Sequence, residues 1–133
     1  VSINANGPRC NCGRRGCVEA YVGNRYIAKR AHVSPDLLTK LARQGDARAK
    51  NIWKETAEYL GRGLVMVINV FDPAVIVIGG GMAGAGRFIF KPLRDYVKKN
   101  ALSVPAKKVK IVKAKLSNDA GVIGAAELVH ENN

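Results

Sequence analysis

No apolar run in this 133-residue sequence approaches the length of a membrane span, and no signal-peptide pattern opens it. Acidic residues are scarce: ten Asp and Glu stand against 22 Lys and Arg, a formal net charge of +12. Histidine is nearly absent, with only His32 and His130. There is no Walker lysine motif, and Gly79, Gly81, Gly84 and Gly86 do not form the dinucleotide fingerprint with its downstream acid. Cysteine is limited to three residues, an odd number in one tight cluster, which argues against a disulfide scaffold. A bridge between Cys10 and Cys12 would also close a small, strained ring. A reducing cytoplasm is the expected compartment.

The sequence contains enough residues for one globular core, and its 47% hydrophobic content fits a folded soluble domain. Its opening, Val1-Ser2-Ile3-Asn4, reads like the middle of a protein, so we expect a fragment or a trimmed chain. The basic excess raises affinity for anions, nucleotide phosphates and nucleic acid included. The cations are scattered, however, apart from a cluster over Lys107–Lys115. There Lys108, Lys110 and Lys113 follow the alternation of a strand's wet face, and a solvated face is the reading taken.

The most informative stretch is Cys10-Asn11-Cys12-Gly13-Arg14-Arg15-Gly16-Cys17 followed by Val18-Glu19. Two sulfurs one residue apart, two glycines that let the backbone fold back and a third sulfur describe a tight loop around a metal, with spacing that fits zinc. Three thiolates leave a tetrahedral zinc one ligand short, and neither histidine lies near the loop. Glu19, two residues past the last sulfur, is held where a carboxylate can be aimed at a polar substrate. A first-turn glutamate complementing a helix dipole is the alternative.

Apolar spacing predicts a helix from Glu19 to Ala31, then a short one opened by a Ser34 cap with Pro35 at its first position. Asp46 caps a long helix that Asp72-Pro73 stops; Gly61 and Gly63 inside it point to close packing against a neighbour. Ala74–Ile78 reads as a parallel strand buried on both faces. Gly79-Gly80-Gly81 follows directly, then a helical segment to about Asn100 in which Pro92 begins or kinks part. Val109–Ala114 is a second strand, and Asp119 caps a final helix through Val129. The order implies an α/β layer with parallel strands and flanking helices. Two strands with five helices look like part of a larger domain. The glycine turn at the carboxyl edge of a parallel sheet leaves room for an adenine ring or a phosphate; a tight strand–helix turn is the bland alternative.

Cys10-x-Cys12-Gly13-x-x-Gly16-Cys17-x-Glu19 resembles the zinc-binding signature of the ROK family (repressors, open reading frames and sugar kinases). Asn69-Val70-Phe71-Asp72-Pro73 leading to Val75–Gly81 resembles the family's adenosine-motif region, and Asp119–Ala126 its closing helix. The similarity covers essentially the whole chain and is greatest to the bacterial glucokinases. It implies a partial actin-like (ribonuclease H-like) ATPase lobe, with residues 1–19 as the zinc-binding loop and 20–133 as the C-terminal part of the ATPase domain. It implies a structural zinc held by Cys10, Cys12 and Cys17 plus an upstream histidine, and Glu19 bonded to sugar hydroxyls. Gly79, Gly80 and Gly81 would lie against the adenosine of ATP, with magnesium in the full-length protein. The implied partners are ATP and a hexose, glucose first, with a second copy of the chain in a homo-oligomer. Family kinases also carry an N-terminal Asp-x-Gly-x-Thr phosphate loop and a catalytic aspartate, neither of which is matched here. The expectation is therefore a C-terminal portion of a hexose kinase that is inactive alone. The alternative is a sugar-sensing repressor of the same family, which would bind DNA.

Overall fold

The computed structural model describes residues 1–115 of the chain; the closing helix expected over 119–129 lies outside the described residues. A loop over residues 1–18 leads into α1 (Glu19–Val22), α2 (Asn24–Ala31), α3 (Pro35–Arg43) and the long α4 (Ala47–Phe71). Then come β1 (Val75–Ile78), a 3-10 turn (Gly81–Ala85), α5 (Arg87–Asn100), α6 (Ser103–Lys108) and β2 (Lys110–Lys113).

Local chemistry fixes several of these limits. Ser34 accepts a hydrogen bond from the Leu37 amide at 3.2 Å, and Asp46 accepts one from the Ala49 amide at 2.6 Å, so both predicted caps form. Asp72 takes a left-handed conformation (φ 42°) and ends α4. The single helix expected over Glu19–Ala31 is instead two, because Gly23 turns extended (φ −63°, ψ 143°) between α1 and α2. Pro92 sits inside α5 and does not begin it, which removes one backbone donor from the helix interior. The six-residue α6 was not anticipated: it buries no residue and so leaves no apolar stripe to read.

α4, 25 residues and about 37 Å long, is the spine of the fold. α5 packs along its length, and α1, α2 and α3 also pack against it. Between them Ile27, Leu38, Trp53, Ile68, Ile89, Leu93 and Val97 are completely buried. Gly61 and Gly63 supply the close approaches. A Cβ on Gly61 would stand 2.5 Å from the Tyr96 ring of α5, and one on Gly63 2.6 Å from Val18 at the end of the loop.

β1 and β2 form a parallel pair in register Val75↔Lys110 through Ile78↔Lys113. The expectation that β1 is buried on both faces does not hold. Ile76, Ile78 and Ile111 face the core, but Val75 and Val77 are 49% and 62% exposed. Alternation puts them on the opposite face, which nothing among the described residues covers. Lys108 is likewise not on a strand: it ends α6, with its Nζ 4.0 Å from Asp72, whereas Lys110 and Lys113 are exposed strand residues as expected.

Gly61→Ala should destabilise the fold by about 1–3 kcal/mol, since the Tyr96 ring must shift to admit the methyl group. Gly84→Ala, where the added carbon meets open space, is the matched control. Urea unfolding of the two variants measures the difference.

Candidate metal and substrate site

The loop before α1 folds back on itself through short antiparallel contacts, Ser2 against Cys17 and Arg9 against Arg15. The Cys10 amide donates to the Arg14 carbonyl at 2.8 Å, the Gly16 amide to Pro8 at 2.8 Å and the Val18 amide to Val1 at 2.9 Å. Gly13 and Gly16 both adopt positive φ (84° and 63°), the conformation that reverses the chain between the second and third sulfurs. Gly16 is also irreplaceable on steric grounds, because the Asn4 backbone occupies the place of its Cβ.

This folding gathers Cys10, Cys12 and Cys17 so that their sulfurs lie within 4.8 Å of one another, with Cys12 and Cys17 at 3.5 Å. Tetrahedral zinc with Zn–S bonds of about 2.3 Å spaces its sulfurs about 3.8 Å apart, so this donor set fits such an ion. Cys12 is exposed, Cys10 half-buried and Cys17 buried. The Arg14 backbone amide, with the neighbouring thiols, holds the Cys12 thiol below its ordinary value. Cys17, hydrogen-bonded to Cys12 and desolvated by burial, is held above its own. Tyr26 ties α2 to the loop, its hydroxyl donating to Asn11 Oδ1 at 3.2 Å.

Glu19 opens α1 with an exposed side chain, and its carbonyl accepts from the Gly23 amide at 2.9 Å. Its carboxylate lies over Gly23, where any added Cβ would collide with it. One residue further on, Asn24 begins α2 and abuts the glycine turn: a Cβ on Gly81 would come 2.5 Å from Asn24 Nδ2. The break at Gly23 therefore brings the cysteine loop, Glu19 and the turn after β1 into one run of contacts. Asn24 escaped sequence reasoning, because an asparagine inside an apparently continuous helical stretch carries no signal of its own.

Gly79 and Gly80 are exposed at the carboxyl end of β1, and Gly80 has φ 78°. The chain then winds through the 3-10 turn, and α5 starts only at Arg87, so the amides nearest the glycines belong to that turn. His32 is an exposed left-handed residue closing α2 (φ 60°).

Comparison with known proteins places these features in a family. The ROK family profile matches residues 1–132, and the chain belongs to that family. It is 34% identical to a glucokinase of Thermotoga maritima over 153 positions, covering 98% of this chain and 48% of the relative. It is 26% identical to the xylose repressor of Bacillus spizizenii over 137 positions, covering 99% of this chain and 36% of that relative. The crystal structure of a ROK family glucokinase from Streptomyces griseus, in complex with glucose and AMPPNP, superposes with a TM-score of 0.85 at 26% identity, over 96% of this chain and 49% of that one. The chain spans about half the length of the glucokinases it matches and about a third of the repressor.

The alignment lengths differ in a telling way. Since 98% of 133 residues is about 130, the Thermotoga glucokinase has roughly 23 residues in this span without a counterpart here. For the xylose repressor, 99% is about 132, which leaves roughly five.

Gly16→Ala should force the loop away from Asn4 and expose Cys17. The expected outcome is a faster reaction of the third thiol with a disulfide reagent in metal-free protein. An unchanged rate would show that the loop absorbs the methyl group.

Proposed function

We propose that this chain is the C-terminal portion of an ATP-dependent hexose kinase of the glucokinase type, in which Glu19 binds sugar hydroxyls and Gly79, Gly80 and Gly81 lie against the nucleotide. The observation that carries this reading is the contact of Asn24 with Gly81: it joins the segment bearing Glu19 to an open glycine turn at the carboxyl end of a parallel strand, where open α/β sheets bind ligands. The similarity to a structure titled as a complex with glucose and AMPPNP supports it. So does the face bearing Val75 and Val77, exposed among the described residues, which fits an actin-like lobe with a further layer of chain against its sheet.

In the reaction a sugar hydroxyl attacks the γ-phosphorus, the new O–P bond forms as the bond to ADP breaks, and the hydroxyl proton passes to a carboxylate base. No residue of this chain is assigned to that base. Glu19 orients the sugar, the glycine turn admits the nucleotide, and magnesium would be held with the triphosphate by groups outside this chain. Cys10, Cys12 and Cys17, with a histidine preceding Val1, would hold a structural zinc. The hydrogen bond from the Val18 amide to the Val1 carbonyl brings the chain start beside the sulfur loop and supports that fourth ligand. Zinc would pin the loop, and through it Glu19. We further propose a cytoplasmic homo-oligomer.

A second reading, a sugar-responsive repressor of the same family that binds DNA, is favoured by one observation: this span has nearly the length of the xylose repressor's and is some 20 residues shorter than the glucokinase's. ADP release from the intact protein with ATP, magnesium and a panel of hexoses decides between them, with these 133 residues as an inactive control. Glucose-dependent turnover supports the kinase; sugar binding without turnover supports the repressor.

In the intact kinase Glu19→Gln should raise the sugar KM about tenfold while leaving the ATP KM nearly unchanged, since only a charged hydrogen bond to sugar is weakened. Cys12→Ser should remove bound zinc and sugar affinity together. Metal analysis alongside sugar titration checks the coupling, and full sugar affinity with the zinc gone would refute it.

A further inference from the structure

The three sulfurs of the metal loop are close together but unequally placed. Cys12 is exposed, Cys10 half-buried and Cys17 buried. All three lie within 4.8 Å of one another, and the Cys12–Cys17 pair stands at 3.5 Å. A disulfide holds its sulfurs about 2.05 Å apart, so this pair has roughly 1.5 Å left to close.

The two members of the pair differ in their freedom to make that movement. Cys17 is held by its surroundings: it pairs with Ser2 across the loop, and its carbonyl accepts from the Ala20 amide at 2.9 Å. The residue after it, Val18, fills the notch at Gly63. Cys12 lies in the turn that Gly13 closes onto the Cys10 carbonyl at 3.1 Å, and neither backbone group of Cys12 bonds to another backbone group among the described residues. A Cβ on Gly13 would meet nothing within 4 Å, so this side of the loop borders open space. The outer sulfur is therefore free to swing onto the inner one while the core stays in place. Cys10 competes poorly. Both its backbone groups are engaged, the amide with Arg14 at 2.8 Å and the carbonyl with Gly13, and a bridge from it to Cys12 would close a small, strained ring.

We propose that Cys12 is a site of reversible oxidation by hydroperoxides, that Cys17 captures the oxidised sulfur as a disulfide, and that Cys10 is left as a thiol. In the metal-free loop the Cys12 sulfur attacks a peroxide oxygen and the O–O bond breaks. The departing oxygen leaves as water with the thiol proton, and Cys12 becomes a sulfenic acid. The Cys17 sulfur then attacks that of Cys12. The S–S bond forms as the S–O bond breaks, and the hydroxyl leaves as water with the Cys17 proton. Two electrons pass from the two sulfurs to the peroxide. A thiol reductant reverses the bridge, which in a reducing compartment makes it transient. The bridge also withdraws two of the three sulfur donors from any zinc held there. The inference stands apart from the kinase reading, since it concerns the sulfurs alone.

The test uses the intact protein, stripped of metal with a chelator, given one equivalent of hydrogen peroxide, alkylated and digested with trypsin. Cleavage after Arg9, Arg14 and Arg15 leaves Cys10 and Cys12 on one peptide and Cys17 on another, and fragmentation of the linked pair shows which sulfur is bridged. Alkylatable thiols should fall from three to one, with Cys12 joined to Cys17 and Cys10 alkylated, and a thiol reductant should restore all three. Cys17→Ser should lose the bridge and leave a sulfenic acid at Cys12 that dimedone captures, whereas Cys10→Ser should keep it. In zinc-loaded protein the same oxidation should release the metal to a colorimetric chelator as the bridge forms. A bridge through Cys10, a bridge between two chains, sulfinic acid on Cys12 with Cys17 still a thiol, or a bridge formed with zinc still bound would overturn the proposal.

Discussion

Two positions of α4 without side chains hold the arrangement together. At Gly61 the helix receives the ring of Tyr96 from α5, and at Gly63, half a turn on, it receives Val18 from the end of the cysteine loop. One helix is thereby in van der Waals contact with the layer that carries the strands and with the loop that gathers the sulfurs. The usual cost of glycine in a helix, about 1 kcal/mol at each position, is offset by this double approach. The relation between the cysteine cluster and the glycine turn follows from it, since both are fixed to the same rigid rod and meet again through Asn24 and Gly81.

The cysteine loop and the helix after it divide their tasks along the chain. Backbone reversals at Gly13 and Gly16 bring the sulfurs together, and Gly23 then redirects the chain so that Glu19 points one way and Asn24 another. A continuous helix from Glu19 to Ala31 would have carried Asn24 around by the helical period instead. Tyr26, reaching back from α2 to Asn11, closes this small circuit and makes the loop's shape depend on the helix it precedes.

Much of this was legible in the sequence where the governing chemistry is local. Ser34 and Asp46 cap as their side chains dictate, Asp72 stops α4, and the sulfur spacing announces its own cluster. Close packing at Gly61 and Gly63 was readable, but its partners Tyr96 and Val18 were not, because nothing in a sequence says which side chain will fill a glycine notch. The break at Gly23 was hidden, since a lone glycine is only mildly unfavourable in a helix. β1 misled for a different reason: an unbroken Val-Ile-Val-Ile run reads the same whether or not a second layer covers it.

The connection between α2 and α3 is three residues long, His32-Val33-Ser34, with a left-handed residue at one end and a helix cap at the other. Such a link has little slack and few alternative conformers to exchange among. α3 is in turn seated against the 3-10 turn after β1. A displacement of the glycine turn must therefore carry α3 and α2 with it.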